Sequence, residues 1–417
     1  MKHLEEKLNK IKFVGCEDVL VGDVLHYSIT QQKNFVTGFK DLICLVIKVA
    51  LKSNYRIKEY GNGKNLTVFS NSYRGREDHY KAYKDVTSII DDRISFECVE
   101  PKFDLRGLKK IFIVLSWNYQ MKRVGFSYGE RMCLCRDLFE AYKDWTLIDK
   151  EVRKRNISVE NLLVYCDVMP VDCFLTQKYK KRKCNVITFH HGAFQVENNA
   201  WAYEKAKSNY FLADSEASCD DARKVGYAGH IIAVGSPFQF NNPEIKVIGP
   251  YKTDVFGIIM NSSADPIEDN FEMLRVVQEY CENAGKIMYI KYHPADKAEK
   301  YKNLIDEKVV KGQYFKDVSI DDFIDRIDVA IVSTSTVVKT TLSKNKPTLL
   351  FVRKGFDHKK FRGTDELKFI DAKDLEKHVL MIENGYENVM KRQNAYLNVL
   401  GNVKNNYRRA YMKIGVL

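Results

Sequence analysis

A lysine and a histidine stand two residues apart, as Lys291 and His293, at the end of the apolar segment 286–294. A segment of this length bounded by proline is typical of a buried strand, and Pro294 ends it because proline has no N–H to donate. Ligands bind at the carboxyl ends of the strands in open α/β sheets. An ammonium and an imidazole at such an end therefore predict a phosphate site. A surface lysine beside a strand-capping histidine is the alternative interpretation.

Small polar residues follow two other predicted strands in the same half of the chain. Residues 333–336 come directly after the apolar segment 329–332, and residues 261–263 directly after 254–260. Hydroxyl residues at a strand–helix turn leave backbone N–H groups exposed at a helix N-terminus, which stabilises an anion by about 0.3–2 kcal/mol. The predicted phosphate-binding residues are Lys291, His293, Ser333, Thr334, Ser335, Thr336, Asn261, Ser262 and Ser263.

Histidines occur at a comparable position in the first half of the chain, where His190, His191 and Gly192 follow the predicted strand 185–189. An imidazole titrates near neutral pH and so suits a general base, and Gly192 would let a substrate approach the backbone closely. His191 is the candidate base, and His190 better fits a structural imidazole bonded to the backbone. Asp214, which also follows a predicted strand, is either a supporting residue or a helix cap.

Several motifs that would indicate other chemistry are missing from the sequence. There is no Gly-x-x-x-x-Gly-Lys, and no Gly-x-Gly-x-x-Gly after a strand, which argues against P-loop and dinucleotide-binding proteins. No Asp-x-Asp or His-Glu-x-x-His pattern requires a metal. We therefore expect no metal and no other cofactor.

Alternation of strands and helices predicts the elements that must position these residues. Besides the strand before Lys291, the predicted strands are 42–51, 66–70, 110–115, 161–166, 185–189, 210–213, 230–234, 254–260, 329–332 and 347–352. The predicted helices are 129–142, 168–178, 200–207, 215–225, 269–283, 296–306, 321–327, 336–344, 375–383 and 387 to about 413. Such alternation is typical of parallel sheets covered by helices on both faces.

The alternation is interrupted once, which divides the chain. Gly235 and Pro237 open an irregular stretch, 238–252, after which the alternation restarts. We predict an acceptor-side α/β domain over 1–237, a linker over 238–252, a donor-binding α/β domain over 253–385 and a C-terminal helix over 386–417. Gly235 and Pro237 would form the hinge, and the carboxyl edges of the two sheets would face each other across a cleft.

Composition limits the class of partner. The 417 residues suit two or three domains, and 67 Lys+Arg against 55 Asp+Glu give a net charge of +12. No nucleic-acid-binding signature accompanies this charge, so phosphorylated substrates or an anionic membrane surface are the expected partners. Ten scattered cysteines and a polar start without a signal peptide predict a cytoplasmic protein, with peripheral contact to the inner face of the cell membrane as a further expectation.

In the stretch 185–352 the chain resembles the GT-B glycosyltransferases of bacterial surface-polysaccharide synthesis. It is most similar to the group that includes CDP-glycerol glycerophosphotransferases, capsule polymerases and polysialyltransferases. The matching motifs are His191-Gly192, Gly235-Ser236-Pro237, Lys291-Tyr292-His293-Pro294, and the 333–336 loop followed by a helix and Lys346-Pro347. The resemblance implies that His191 is the base, that His293 and 333–336 hold the donor phosphates, and that the C-terminal helix packs back towards the N-terminal lobe.

Two departures from this group leave the donor open. Ala193 follows His191-Gly192 where the glycerophosphotransferases often have threonine, and the acidic motif of polysialyltransferases has no counterpart. We expect an inverting, metal-independent transferase that moves a sugar from a nucleotide donor to a hydroxyl of a cell-surface glycan, capsule or lipopolysaccharide precursor, or lipid-linked oligosaccharide. The alternatives are a polyol-phosphate transferase that uses CDP-glycerol, a UDP-sugar 2-epimerase of the same fold, and a non-catalytic nucleotide-sugar-binding subunit.

Overall fold

The strands of the protein fall into two groups along the chain. The computed structural model describes residues 2–31, 39–73, 76–103, 108, 110–189, 206–241, 251–261, 267–294, 296–335, 337–355, 367–399 and 401–417. Within these ranges the strands are β1 (Leu51–Tyr60), β2 (Asn65–Phe69), β3 (Arg93–Phe103), β4 (Asn161–Val164), β5 (Asn185–Phe189), β6 (Tyr210–Ala213), β7 (His230–Ala233), β8 (Val255–Ile259), β9 (Ile287–Lys291), β10 (Val310–Tyr314), β11 (Val329–Val332), β12 (Thr348–Phe351) and β13 (Lys368–Phe369).

Helices connect and cover these strands. In the same ranges they are α1 (Lys2–Asn9), α2 (Val21–Val24), α3 (His26–Gln31), α4 (Phe39–Ala50), α5 (Glu77–Thr87), α6 (Ile111–Arg123), α7 (Tyr128–Lys154), α8 (Pro170–Lys181), α9 (Glu216–Lys224), α10 (Ile267–Ala284), α11 (Ile320–Asp325), α12 (Val338–Ser343), α13 (Ala372–Leu397) and α14 (Val403–Ile414). Short 3₁₀ turns lie at Asn71–Tyr73, Pro237–Gln239 and Ala298–Leu304.

The strands form two sheets in the described part of the chain, one of seven strands ordered β1-β3-β2-β4-β5-β6-β7 and one of six ordered β10-β9-β8-β11-β12-β13. The paired strands are parallel except β1 and β3, which run antiparallel. We call each sheet with its helices a lobe, N-terminal for β1–β7 and C-terminal for β8–β13. The predicted two-lobed α/β organisation is confirmed.

The central strands are short apolar segments, because helices cover both of their faces. β2, β4, β11 and β12 are buried along their whole length. Parallel strands in this position are buried on both faces and therefore read as continuous apolar runs in the sequence. These runs place the carboxyl ends of the strands, and hence the polar loops that follow them, along one edge of each sheet.

The C-terminal helix packs back onto the N-terminal lobe, as the resemblance implied. Tyr407 and Tyr411 of α14 are buried in the same core cluster as residues of β2, β4 and β5. The Tyr411 hydroxyl donates to the Val86 carbonyl at 3.1 Å, and Asn65 Nδ2 at the start of β2 donates to the Val416 carbonyl at 3.0 Å. The last residues of the chain therefore complete the core of the lobe that contains the first residues.

The predicted helix from 387 to about 413 is wrong in one respect, because it is two helices. α13 ends at Leu397 and α14 begins at Val403. Gly401 has φ +90°, in the left-handed region that favours glycine, and Asn402 Oδ1 accepts from the Asn405 backbone N at 3.0 Å. This asparagine cap starts a new helix and turns the chain towards the N-terminal lobe.

Two predicted strands, 42–51 and 110–115, are helical. In α4 the buried residues Leu45 and Val49 are four apart, and Lys48 pairs with Glu140 of α7. α6 buries Val114 and Trp117, three apart, on the same side. The buried residues of both segments are therefore spaced as in a helix, although each segment contains a run of apolar residues that resembles a strand.

The predicted domain boundaries stay a prediction. Of the predicted linker 238–252, only residues 238–241 and 251–252 lie in the described ranges. The predicted helix 200–207 lies largely outside them. Among the described residues, no helix is both long and apolar enough to cross a lipid bilayer.

Candidate functional site

Three neighbouring strands of the C-terminal lobe end at the same edge of its sheet. β9, β8 and β11 are adjacent and parallel, with Ile259 opposite Lys291 and Val329 opposite Phe256. The loops after them begin at Met260, Tyr292 and Ser333 and contain the predicted phosphate-binding residues. Ser262, Ser263 and Thr336 lie outside the described residues.

Asn261 ties the loop after β8 to the loop after β11. Its side chain is 2% exposed, and its Oδ1 accepts from the Thr334 backbone N at 3.3 Å. Asn270 of α10 holds its backbone on both sides, with Asn261 N donating to Asn270 Oδ1 at 2.9 Å and Asn270 Nδ2 donating to Asn261 O at 3.1 Å. The structure therefore brings Asn261 and Thr334 together.

The amide nitrogen of Asn261 is a buried donor that has no acceptor among the described residues. A buried polar group without a hydrogen-bond partner costs about 1–3 kcal/mol. Such a cost is typical of functional sites, where a ligand supplies the missing acceptor. A phosphate oxygen is one acceptor that could meet this need.

His293 lies at a turn that belongs to the same polar network. Its ring is partly buried, and its carbonyl accepts from the Asp296 backbone N at 2.9 Å. Asp296 is buried and accepts from the Tyr301 hydroxyl at 3.1 Å, and that hydroxyl accepts from Asn270 Nδ2 at 3.0 Å. The side chains of Asn270, Tyr301 and Asp296 thus connect the His293 turn to the Asn261 loop.

Lys291 has a different partner from the one that the sequence suggested. Its ammonium donates to the Phe315 carbonyl just after β10. Because β9 lies between β10 and β8, this ammonium is on the side of β9 that faces away from Ser333 and Thr334. Burial lowers the pKa of Lys291, and Asp317 partly opposes that shift. The structure therefore places Lys291 with the loop after β10 and not with the Ser333 loop.

The loop after β11 leads into a shorter helix than predicted. Ser333 is buried, and Ser335 Oγ accepts from the Val337 backbone N at 3.3 Å. The following helix, α12, spans Val338–Ser343, only six residues, where the sequence predicted 336–344. A helix of this length sums few peptide dipoles, so helix-dipole stabilisation of an anion is weaker here than expected.

The predicted base, His191, lies outside the described residues together with His190 and Gly192. The strand that precedes them, β5, ends at Phe189 and pairs with β4 and β6 in parallel. The carboxyl end of β5 therefore lies at the carboxyl edge of the N-terminal sheet.

Asp214 bridges the two lobes. Its Oδ1 accepts from the hydroxyls of Ser215 at 2.9 Å and Ser218 at 2.6 Å. The cap of α9 is Ser215, whose Oγ accepts from the Ser218 backbone N at 3.3 Å, so Asp214 is not the helix cap. Its Oδ2 forms an ion pair with Lys339 of α12, and both side chains are buried. Lys339 was not singled out in the sequence, because nothing in its local pattern indicates a partner 125 positions away.

The predicted hinge residues lie where the lobes and the C-terminal helix meet. Gly235 has φ +100°, and a Cβ at this position would lie 2.8 Å from Val403 of α14. Pro237 begins a 3₁₀ turn in which Gln239 Nε2 donates to the Lys339 carbonyl at 3.0 Å and to Asn398 Oδ1 at 3.2 Å. Position 235 therefore favours glycine, because its φ is positive and because Val403 leaves no room for a Cβ.

A charged and aromatic cluster at the carboxyl edge of the N-terminal sheet was not predicted. The Arg76 guanidinium donates to both carboxylate oxygens of Asp78, at 3.1 and 3.0 Å, and to His79 Nε2. The His79 ring stacks on Tyr73 at 5.6 Å and meets Phe238 edge-on at 5.4 Å. Burial, followed by the Arg76 charge, lowers the pKa of His79, and the Asp78 carboxylate partly opposes this shift.

The described residues contain no group of three or more His, Cys, Asp or Glu side chains placed to hold a metal ion. No protein-family model matches the chain, and no curated protein matches it.

Solved structures with low sequence identity share the architecture. The Staphylococcus aureus MnaA–UDP structure is 10% identical, with a TM-score of 0.50 over 85% of this chain and 98% of that one. A putative UDP-N-acetylglucosamine 2-epimerase from Listeria monocytogenes is also 10% identical, with a TM-score of 0.51 over 84% of this chain and 95% of that one. The lipopolysaccharide outer core galactosyltransferase WaaB is 12% identical, with a TM-score of 0.48 over 84% and 99%. The two helix-covered parallel sheets, together with the similarity to the S. aureus and L. monocytogenes structures, show that the chain has the GT-B fold.

Proposed function

We propose that the protein is a nucleotide-sugar-dependent glycosyltransferase whose donor binds at the carboxyl edge of the C-terminal sheet. The observation that carries the proposal is the Asn261 loop, where a buried amide donor without an acceptor among the described residues lies beside the Thr334 backbone. The polar network through Asn270 connects this donor to the His293 turn. In a GT-B fold this edge faces the other lobe, where the acceptor would bind.

The donor's diphosphate would occupy the space beside these loops. Asn261 Nδ2 and the hydroxyls of Ser333, Thr334 and Ser335 would donate to phosphate oxygens, and His293 would add a donor that carries positive charge when protonated. Ser262, Ser263 and Thr336 stay proposed members of the same site. Lys291 would act indirectly, by fixing the loop after β10, since its ammonium is already bonded to Phe315.

The proposed reaction is a single displacement that inverts the anomeric carbon. His191 would take the proton of the acceptor hydroxyl as its oxygen forms a bond to that carbon, and the bond from the carbon to the donor phosphate would break. The nucleotide diphosphate leaves with the electron pair. Stabilising this leaving group would be a large part of the catalysis, and the donor-site hydrogen bonds would supply it. We propose that no metal is needed.

The acceptor would be a hydroxyl of a cell-surface glycan or a lipid-linked oligosaccharide. At the carboxyl edge of the N-terminal sheet, the exposed Arg76 and Asp78 side chains would bond to sugar hydroxyls, and the exposed Phe238 ring beside His79 would pack on a sugar ring. The net charge of +12 suits an acceptor presented at an anionic membrane.

A thermal-shift panel of UDP, CDP, CMP, GDP and TDP tests the donor class. Ligands that bind the folded state raise its melting temperature by mass action. Because the S. aureus MnaA structure contains UDP, UDP is the first nucleotide to test. We expect one nucleotide to stabilise the protein, and the variant Asn261→Asp to lose that stabilisation while Asn283→Asp, an exposed position of α10, keeps it. No shift with any nucleotide would contradict the proposal.

Product analysis then separates the alternatives. A glycosyltransferase releases the nucleotide only when an acceptor is present, and it does so after treatment with a chelator. Release of CMP with transfer of glycerol phosphate would indicate the polyol-phosphate transferase, and a 2-epimerised sugar without an acceptor would indicate an epimerase. Binding without any turnover would indicate a non-catalytic subunit.

A further inference from the structure

The outer face of α6 is apolar and exposed. Phe112 is 75% exposed, Leu115 56% and Tyr119 62%. Their spacing of three and four residues puts them on one side of the helix. The opposite side is buried in the N-terminal core and comprises Val114, Trp117 and Met121. The helix thus has two apolar faces, of which the fold covers one.

α4, a second helix that packs on α7, also has an exposed apolar face. α4 packs on α7, and Lys48 of α4 forms an ion pair with Glu140 of α7. α6 also packs on α7, where its Trp117 contacts Phe139. Outward-facing residues of α4 are apolar and between 37% and 46% exposed; they are Leu42, Ile43, Val46 and Ile47. Single exposed apolar residues are common on protein surfaces, but grouped ones mark interaction sites.

Basic residues flank the apolar face of α6 at both ends. Lys122 and Arg123 end the helix and are exposed, and the helix contains no Asp or Glu. At its start, Lys143 and Lys150 of α7 are close enough to Lys110 to add to the lowering of its pKa, which burial mainly causes. Positive charge therefore lies at both ends of the apolar face of α6.

This distribution fits one kind of partner. Helices that lie in the surface of a bilayer bury an apolar face among the acyl chains and keep Lys and Arg at the headgroups, where each cation gains about 1 kcal/mol from anionic lipid. Protein–protein interface cores are instead depleted in lysine. A helix of 13 residues is too short to span a bilayer but long enough to lie on one.

We propose that the outer faces of α6 and α4 form a membrane-docking surface for anionic lipid bilayers. The surface belongs to the N-terminal lobe, the acceptor side of the proposed enzyme, so docking would hold that lobe against the membrane that carries a lipid-linked acceptor. The link between docking and a lipid-linked acceptor rests on the proposed function. Binding to lipid itself requires neither donor nor turnover.

Co-sedimentation of the full chain with vesicles tests this surface without any nucleotide or acceptor. We expect binding to vesicles of phosphatidylcholine mixed with phosphatidylglycerol, and much less binding to phosphatidylcholine alone. The variant Phe112→Ser/Leu115→Ser/Tyr119→Ser should bind at least about tenfold more weakly. The control Leu380→Ser/Met412→Ser changes residues that are 50% and 59% exposed outside α4 and α6, and should bind like the unchanged chain.

A second variant, Lys122→Glu/Arg123→Glu, changes exposed charges only and should also weaken binding, with the largest effect at low salt. The proposal is overturned if the chain binds neither kind of vesicle, or if the apolar variant binds as well as the control. It is also overturned if the chain is a dimer in light scattering that the apolar variant dissociates, because the face would then join two copies. None of these outcomes bears on nucleotide binding, which the thermal-shift panel tests separately.

Discussion

Individual side chains at the edge of the C-terminal sheet form a series of hydrogen bonds that ends at one buried amide donor without an acceptor among the described residues. Asn261, Asn270, Tyr301 and Asp296 bond to one another in sequence, and the last of them holds the turn at His293. A network in which each member is held by the next is rigid and fixes the direction of an unused donor. The Asn261 amide nitrogen is therefore preorganised for an acceptor, which is the property an anion site needs.

At the same scale, the variant His191→Ala should lower turnover by about 10²–10⁴-fold, because a positioned general base contributes a factor of this size. Nucleotide affinity should be unchanged, since the base belongs to the other lobe. His190→Ala is the matched control and should retain most activity. Wild-type turnover in His191→Ala would remove it as the base, and an equal loss in His79→Ala alone would move the base to the Arg76–Asp78–His79 cluster.

At the scale of elements, local spacing predicted the parts of the fold that depend on near neighbours. The strand over 329–332 coincides with β11, and most helices that follow the central strands begin within a few residues of their predicted starts. The segments 42–51 and 110–115 were misassigned because apolar residues face outward as well as inward on α4 and α6, which hides the helical period. The outward-facing apolar residues that hide the helical period are the same residues that form the proposed docking surface.

The candidate site was predictable only where it follows a strand directly. Asn261, His293 and Ser333 could be predicted as candidates because strand ends can be recognised from apolar runs. Asn270 and Lys339 could not be found, because their partners are brought to them by the tertiary structure and no local pattern marks them. For the same reason the direction of the Lys291 side chain, towards β10, could not be inferred from its position at a strand end.

One element should give the protein a measurable pH dependence. Asp172 in the first turn of α8 is fully buried and accepts from the Cys166 backbone N at 3.0 Å, and burial raises its pKa to about 7. The folded state thus holds a proton that the unfolded state, with a pKa of about 3.9, releases. This stabilisation is full below pH of about 4 and is lost as the pH rises towards 7.

The variant Asp172→Asn should therefore flatten the decrease in melting temperature between pH 5 and pH 7.5 and raise the melting temperature at the higher pH. Differential scanning fluorimetry at the two pH values measures this, with Asp91→Asn, an exposed residue, as the control. A decrease of the same slope in Asp172→Asn would show that the carboxyl group is ionised in the folded protein throughout this range.

At the scale of the whole molecule, a buried ion pair and a hydrogen bond beside it join the two lobes in the described part of the chain. The Asp214–Lys339 ion pair joins the loop after β6 to the helix that follows the Ser333 loop, and Gln239 binds the Lys339 carbonyl from the predicted hinge. Both members of the pair are buried. The contact therefore links the helix that follows the Ser333 loop in one lobe to the strand edge of the other lobe.

Removing one partner of this pair leaves a buried charge, which costs about 3–5 kcal/mol. Asp214→Asn and Lys339→Met should each lower the melting temperature by about 2–4 °C per kcal/mol. The double variant should be less destabilised than the sum of the two, with a coupling of about 1 kcal/mol or more. Melting curves of the three variants measure this, and additive effects would show that the two side chains do not interact in solution.

The central claim is that the edge of the C-terminal sheet binds the phosphates of a nucleotide donor, and calorimetric titration of the stabilising nucleotide into His293→Ala tests it most directly. A hydrogen bond to a charged group contributes about 1.5–3 kcal/mol, so the dissociation constant should rise by about tenfold to a hundredfold. His230→Ala, an exposed histidine of the N-terminal lobe, should bind like the unchanged chain. Unchanged affinity in His293→Ala would contradict the account.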